Sequence, residues 1–313
     1  MRFAAFAGSI CAACLLSACG GGGTEGVSST PAPTPTPVSP PTGGTNSTLT
    51  NLRVSQTFEG LGVVNRFTAA ASNAATSNRQ PQTGGAVQVR YDASTGSYTI
   101  ANGQLPDASF SSADRSATDS TPAISTYSKT SGTRTDNLAL FNPGTGNTKL
   151  ALTYASYGGW QSTNTTGSSA DVATTFFVYG IKTAPSDMPI NGMGSYKTTL
   201  DGLFAGNSGV YTLGGGSAIV ADFAAGTIDF SMTPLGRNIA DGTTKDFGAI
   251  LGSGTIGSGT SAFTGTSDAA SMNGYSATLQ GQFYGPQAAE VGSTFLLTGA
   301  DGQGSGVIVG KKN

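Results

Sequence analysis

Gly281-Gln282-Phe283-Tyr284-Gly285-Pro286-Gln287-Ala288-Ala289-Glu290-Val291-Gly292-Ser293-Thr294-Phe295 joins two strands across a sharp corner. Strand alternation sends Phe283 and Tyr284 to opposite faces, so one enters a core and the other covers an outside. Gly285-Pro286 ends the first strand, because proline has no amide to give to a ladder. Ala288, Ala289 and Glu290 read as one helical turn, whose carboxylate accepts hydrogen bonds from nearby backbone amides.

Working outward, the flanking sequence repeats short strands between turn residues. Alternation runs through Tyr196 to Phe204, followed by Gly209 to Leu213 and Ala218 to Phe223. The turn Ala224-Ala225-Gly226, flanked by Asp222 and Asp229 as hairpin residues, leads into Thr227 to Met232. Ile250 to Ile256, Ser261 to Thr264, Tyr275 to Phe283, Ser293 to Leu297 and Gly306 to Val309 complete the set. Eight or so antiparallel strands without a long helix give an all-β fold, either a closed barrel or a sandwich. Gly202, Gly252 and Gly281 lie inside strands, as the tight curvature of a small barrel requires.

The first half is also β-rich. Ala86 to Tyr91 and Ser97 to Ile100 flank a turn and make one hairpin. Leu138 to Phe141 and Lys149 to Tyr154, around Asn142-Pro143-Gly144, make a second. Phe176 to Tyr179 is apolar on both faces and reads as a buried strand. Ala69 to Ala75 has helical composition, and Ser109 to Thr126 reads as a loop. Trp160, the single tryptophan, is either a plug between the two halves or, with Tyr157, a contact for a partner.

Residues 1–18 carry one charge, Arg2, before an apolar core, and they read as a signal peptide too short to span a bilayer. Leu16-Ser17-Ala18-Cys19 is the pattern read by a lipoprotein signal peptidase, which makes Cys19 the first mature residue and the lipidation site. Acyl chains at ~0.8 kcal/mol per buried CH₂ then hold the protein to a lipid bilayer. Cys11 and Cys14 leave with the signal, so no disulfide is available to the mature monomer. Residues 19–47, with Gly20 to Gly23 and the prolines from Pro31 to Pro41, form an extended tether.

Charged residues make up only 10 % of the chain, and the formal net charge is −2, which gives no support for nucleic-acid binding. The sequence contains no histidine. That removes the commonest general base and metal ligand, and with them any conventional triad. Neither a cofactor nor a metal site is indicated, and nothing in the spacing of the carboxylates defines a catalytic site.

The corner segment resembles the C-terminal β-barrel of the transferrin-binding protein B family of Gram-negative surface lipoproteins. In that family a strand ending Phe-Tyr-Gly-Pro leads to an Ala-x-Glu turn, here Phe283, Tyr284, Gly285, Pro286 and Glu290. Ser217 to Met232, Phe263-Thr264-Gly265, Tyr275 and Gly306 to Lys311 match as well. The resemblance covers Tyr196 to Lys312 well and Val87 to Gly194 more weakly. It implies a mostly β handle domain at about 48–185 and an eight-stranded antiparallel barrel at about 190–313, with the motif residues structural. It further implies a monomeric, non-enzymatic outer-membrane lipoprotein at the cell surface. Such a protein binds a protein or small nutrient ligand, related to iron or haem or another solute. Its partners are then a TonB-dependent receptor and a surface-lipoprotein translocator. The alternative is an adhesion or envelope-coat protein without cargo.

Overall fold

The computed structural model describes residues 44–70, 76–80 and 82–313. Cys19, the signal peptide and most of the tether lie outside the described residues. Among the described residues every long element is a strand, and the helices are single 3₁₀ turns. Glycine, threonine and alternating apolar positions favour this outcome, because they fit a pleated, half-buried surface better than a helix.

The handle strands are β1 (Gln56–Ala70), β2 (Thr76–Ser77), β3 (Thr83–Asp92), β4 (Ser97–Ala101), β5 (Ala108–Phe110), β6 (Ile124–Ser131), β7 (Arg134–Phe141), β8 (Ala155–Thr166) and β9 (Ser169–Gly180). They pair antiparallel in the order β5-β4-β3-β1-β9-β8-β7-β6, with β2 on the end of β1. One face of this sheet buries Phe58, Ile100, Phe110, Leu138, Trp160 and Phe177 in a core of its own.

The second sheet contains β10 (Met193–Gly206), β11 (Gly209–Asp222), β12 (Thr227–Asn238), β13 (Thr244–Asp246), β14 (Ile250–Ile256), β15 (Ala262–Ser267), β16 (Ser276–Tyr284), β17 (Glu290–Gly299) and β18 (Gly302–Lys312). The order is β11-β10-β18-β17-β16-β15-β14-β12, and β11 pairs with β12 to close the ring. The result is an eight-stranded antiparallel barrel, with β13 added on the flank of β12. Along β12 the residues Ile228, Phe230 and Met232 point inward, while Thr227, Asp229 and Ser231 lie on the other face. Phe204, Phe223, Phe247, Phe263, Phe283 and Phe295 fill the interior, so the barrel is packed rather than hollow.

Several expectations change. Gly209 to Leu213 and Ala218 to Asp222 belong to one strand, β11, which runs on through Gly214-Gly215-Gly216, with Phe223 just past its end. Ala69 and Ala70 end β1, paired with Ala170 and Ser169, and are not helical; 71–75 lie outside the described residues. The stretch from Ser109 contains the end of β5 and a 3₁₀ turn before β6, so it is not all loop. The second hairpin does not form. Leu138 and Leu140 pair with Tyr127 and Ser125 on one side and with Trp160 and Gly158 on the other. Lys149 to Tyr154 is irregular, because its last amides are taken by a carboxylate from the barrel, described below.

Gly281 illustrates the packing of the interior. A Cβ there would lie 2.0 Å from the Phe263 ring, which is itself in contact with Phe283. Gly281→Ala therefore requires a displaced aromatic cluster, and we expect a loss of about 1–3 kcal/mol in urea unfolding with the β signature of the fold retained.

Candidate functional site

The corner after β16 is where handle and barrel are joined. Phe283 points into the barrel core, and Tyr284 points outward into a third apolar cluster shared by both sheets. Handle residues Val63, Phe141, Tyr157, Phe176 and Val178 meet barrel residues Leu203, Val307 and Val309 there. The chain leaving β9 returns along the end of β16. Thr183 N–H donates to the Phe283 carbonyl at 3.0 Å, and Gly285 N–H donates to the Ile181 carbonyl at 2.8 Å. Gly285 has φ +71°, and a Cβ would lie 2.3 Å from the Tyr154 ring, so glycine is required twice over. The following turn is a 3₁₀ turn at Pro286–Ala288, and Glu290 opens β17 instead of closing a helical turn. Gln287 and Ala288 are in the left-handed region at φ 53° and 54°. Asp187 holds the Gln287 amide at 3.0 Å, and the Tyr196 hydroxyl donates to the Ala288 carbonyl at 2.8 Å.

Glu290 is fully buried. Its Oε1 accepts from Thr153 N–H at 2.7 Å, and its Oε2 accepts from Tyr154 and Ala155 N–H, both at 2.8 Å. Three consecutive handle amides thus end on one barrel carboxylate. Burial pushes the Glu290 carboxyl above its usual range, and it outweighs the three amide bonds and the more distant Lys311, which act the other way. Lys311, opposite Glu290 in the β17–β18 ladder, donates to the Ala151 carbonyl at 3.2 Å.

A second tie crosses the seam nearby. The Tyr157 hydroxyl donates to Asp201 Oδ2, and Lys149 Nζ lies 3.7 Å from the same oxygen. Burial raises the Asp201 carboxyl, opposed by Lys149 and by the Tyr157 hydrogen bond. Tyr157 also stacks on Phe141, with ring centroids 4.7 Å apart. Trp160 is 0 % exposed, inside the handle's own core, with its indole N–H donating to Asp136 at 3.0 Å. It therefore plugs the handle and not the space between the halves. Neither Trp160 nor Tyr157 offers a surface to a partner in this conformation, because both rings are spent on internal packing.

The open surface lies elsewhere. A cleft of about 360 Å³ at the end of the handle is bordered by Arg66, Thr68, Leu105, Asn164 and Asp171. The Arg66 guanidinium is oriented by Gln104, donating to its Oε1 at 3.0 Å and its carbonyl at 3.1 Å. Asp171 accepts from Thr68 at 2.7 Å. One cation and one carboxylate on a shared rim suit a polar ligand. At the loop end of the barrel, Lys245 caps the core. It lies 2.8 Å from Asp301 and within 6.0 Å of the Phe204, Tyr211, Phe247 and Tyr275 ring centroids. Sequence reading missed Arg66, Asp171, Asp201 and Lys245. Arg66, Asp171 and Asp201 are lone charges in strand patterns, Lys245 stands beside Asp246, and only the alternation of β10 hinted that Asp201 faces outward. Among the described residues no group of three His, Cys, Asp or Glu side chains is placed to hold a metal ion.

The family model described as the C-lobe and N-lobe β-barrels of transferrin-binding protein B matches residues 153–312. The chain belongs to this family. The transferrin-binding protein B family match begins at Thr153, the first of the amides bound by Glu290. A transferrin-binding protein B double variant from Haemophilus parasuis is 12 % identical and covers 82 % of this chain and 76 % of its own, with a TM-score of 0.43. A single variant from Actinobacillus pleuropneumoniae is 15 % identical over 81 % and 100 %, TM-score 0.40. The N-lobe domain of lactoferrin-binding protein B from Moraxella bovis is 13 % identical over 82 % and 99 %, TM-score 0.37. A search of curated proteins finds no match. Lipoproteins of the transferrin-binding protein B family are non-catalytic, and this chain is not an enzyme.

Glu290→Gln replaces an acceptor by an NH₂ group facing handle amides. We expect a loss of about 2–4 kcal/mol in chemical denaturation, one to two buried donors left unpaired. The pH dependence has a definite sign. A carboxyl raised in the folded state holds its proton more tightly there than in the unfolded chain. Its contribution is therefore full below the unfolded pKa and declines as pH rises through the folded one. The stability gap between wild type and Glu290→Gln widens as pH is lowered from neutrality toward the ordinary glutamate range. Denaturation curves of both proteins across that interval check it.

Proposed function

We propose that this chain is a surface lipoprotein of the outer membrane that captures a protein or small nutrient ligand for a partner transporter. Membership of the transferrin-binding protein B family carries the reading, and the packed barrel refines it. With aromatic rings filling the interior, a ligand is held on outer surfaces and not inside. Cys19 supplies the acyl anchor, 19–47 the tether, 48–185 the handle and 190–313 the barrel. The handle cleft at Arg66 and Asp171 is the place we assign to a polar part of the ligand.

The coat or adhesion reading draws on the barrel face turned away from the handle. There Thr227, Thr255 and Thr264 stand in one cross-strand row and Ser253 and Thr266 in the next, with Asp229 the one charge among them. Such a hydroxyl-rich face, with Asp229 in it and Asp268 bonded to Ser253, lacks the aromatic and arginine anchors of a tight protein interface.

Pull-down separates the two. The soluble form beginning near Asn46 is expected to retrieve a TonB-dependent receptor from membrane extract, or an iron- or haem-loaded protein. It is also expected to lose that capture when Arg66 is changed to Ala. Recovery of nothing favours the coat. For the anchor, Cys19→Ser should abolish palmitate incorporation and release the protein from the membrane fraction. Protease added to intact cells should degrade the wild-type protein, and full protection would contradict a surface location.

A further inference from the structure

Between its apolar ends the handle–barrel seam contains a row of uncharged polar side chains. Asn137, Gln161, Thr174 and Asn65 are successive cross-strand partners on β7, β8, β9 and β1, so they share one face of the handle. That face carries Val63, Tyr157 and Phe176, and it is turned to the barrel. Opposite them on β18, Gln303 and Ser305 precede Val307 and Val309 on the handle-facing side. Gln303 Nε2 donates to Asn65 Oδ1 at 3.1 Å, which fixes the two rows against each other. Asn65 and Ser305 are fully buried, and Thr174 and Gln161 nearly so. Yet Asn65 Nδ2, Thr174 Oγ1, Gln161 Oε1, Asn137 Oδ1 and Ser305 Oγ have no protein hydrogen-bond partner.

One unpaired buried polar atom is ordinary, but five on two facing sheets are not, because each costs about the desolvation of a hydrogen-bonding group. A void of about 10 Å³ beside Ala139, Gly159, Phe176 and Asp201 lies in the next cross-strand row of the same seam, and it has room for one water. We propose that this row is a layer of buried water sites that bridge handle and barrel. Water fits because the row offers one amide donor, two amide acceptors and two hydroxyls that serve as either. Ions do not fit, since the row contains no charge. The seam is pinned on either side of the layer, by Glu290 at one end and by Thr76 donating to the Gly206 carbonyl and Arg79 to Asn207 at the other.

Thr174→Val and Ser305→Ala test this with nearly unchanged shape. If bridges are present, each variant lowers the folding equilibrium constant about tenfold. Where the two positions share a bridge, the double variant falls short of the product. Unchanged or raised stability in both variants, with additive effects, would overturn the proposal. A high-resolution crystal structure with no bridging density along the row would also contradict it.

Discussion

One buried carboxylate determines how the two sheets meet. Glu290 stands at the first position of a barrel strand and takes the amides of Thr153, Tyr154 and Ala155 from the handle. No ion pair to it is formed among the described residues. Its stabilisation comes from oriented amide dipoles, which exist only when handle and barrel are docked. The irregular segment before β8 is a consequence, since amides engaged by a carboxylate are not available to a ladder. So is the corner itself. Proline, a left-handed glycine and two left-handed non-glycine residues bring Glu290 to the seam within six residues of Tyr284.

That arrangement constrains what the protein can do. The barrel is closed and full, the handle has a core of its own, and a third apolar cluster joins them. Binding must therefore use outer faces, loop ends, or the cleft at the handle's end. Charge is scarce, so the places where it is buried or oriented stand out: Asp201 at the seam, Lys245 over the barrel rings, and Arg66 at the cleft.

The barrel was legible in the sequence because its strands are short-range events. Alternation along Thr227 to Met232 and the turn at Ala224 to Gly226 state a hairpin without outside help. The fates of Phe283 and Tyr284 follow from the same alternation, although which of them meets the handle does not. The failures are long-range. Lys149 to Tyr154 has strand composition, but its partner is Glu290, more than a hundred residues away. Trp160 beside two glycines reads as a plug between the halves or a partner contact until β7 and β9 are laid on either side of it. The handle cleft is assembled from β1, β8, β9 and a turn, and no local pattern announces it. The polar row across the seam is equally silent, since its members are spread over five strands.

The central claim is that Glu290 makes handle and barrel one cooperative unit. Native-state hydrogen exchange at the amides of Thr153, Tyr154 and Ala155 tests it most directly. The account predicts that these amides, whose acceptor is a side chain of the barrel, exchange only through global unfolding, with the same opening free energy as the barrel-core amide of Ile308. Exchange there by local opening, with Ile308 still fully protected, would contradict it.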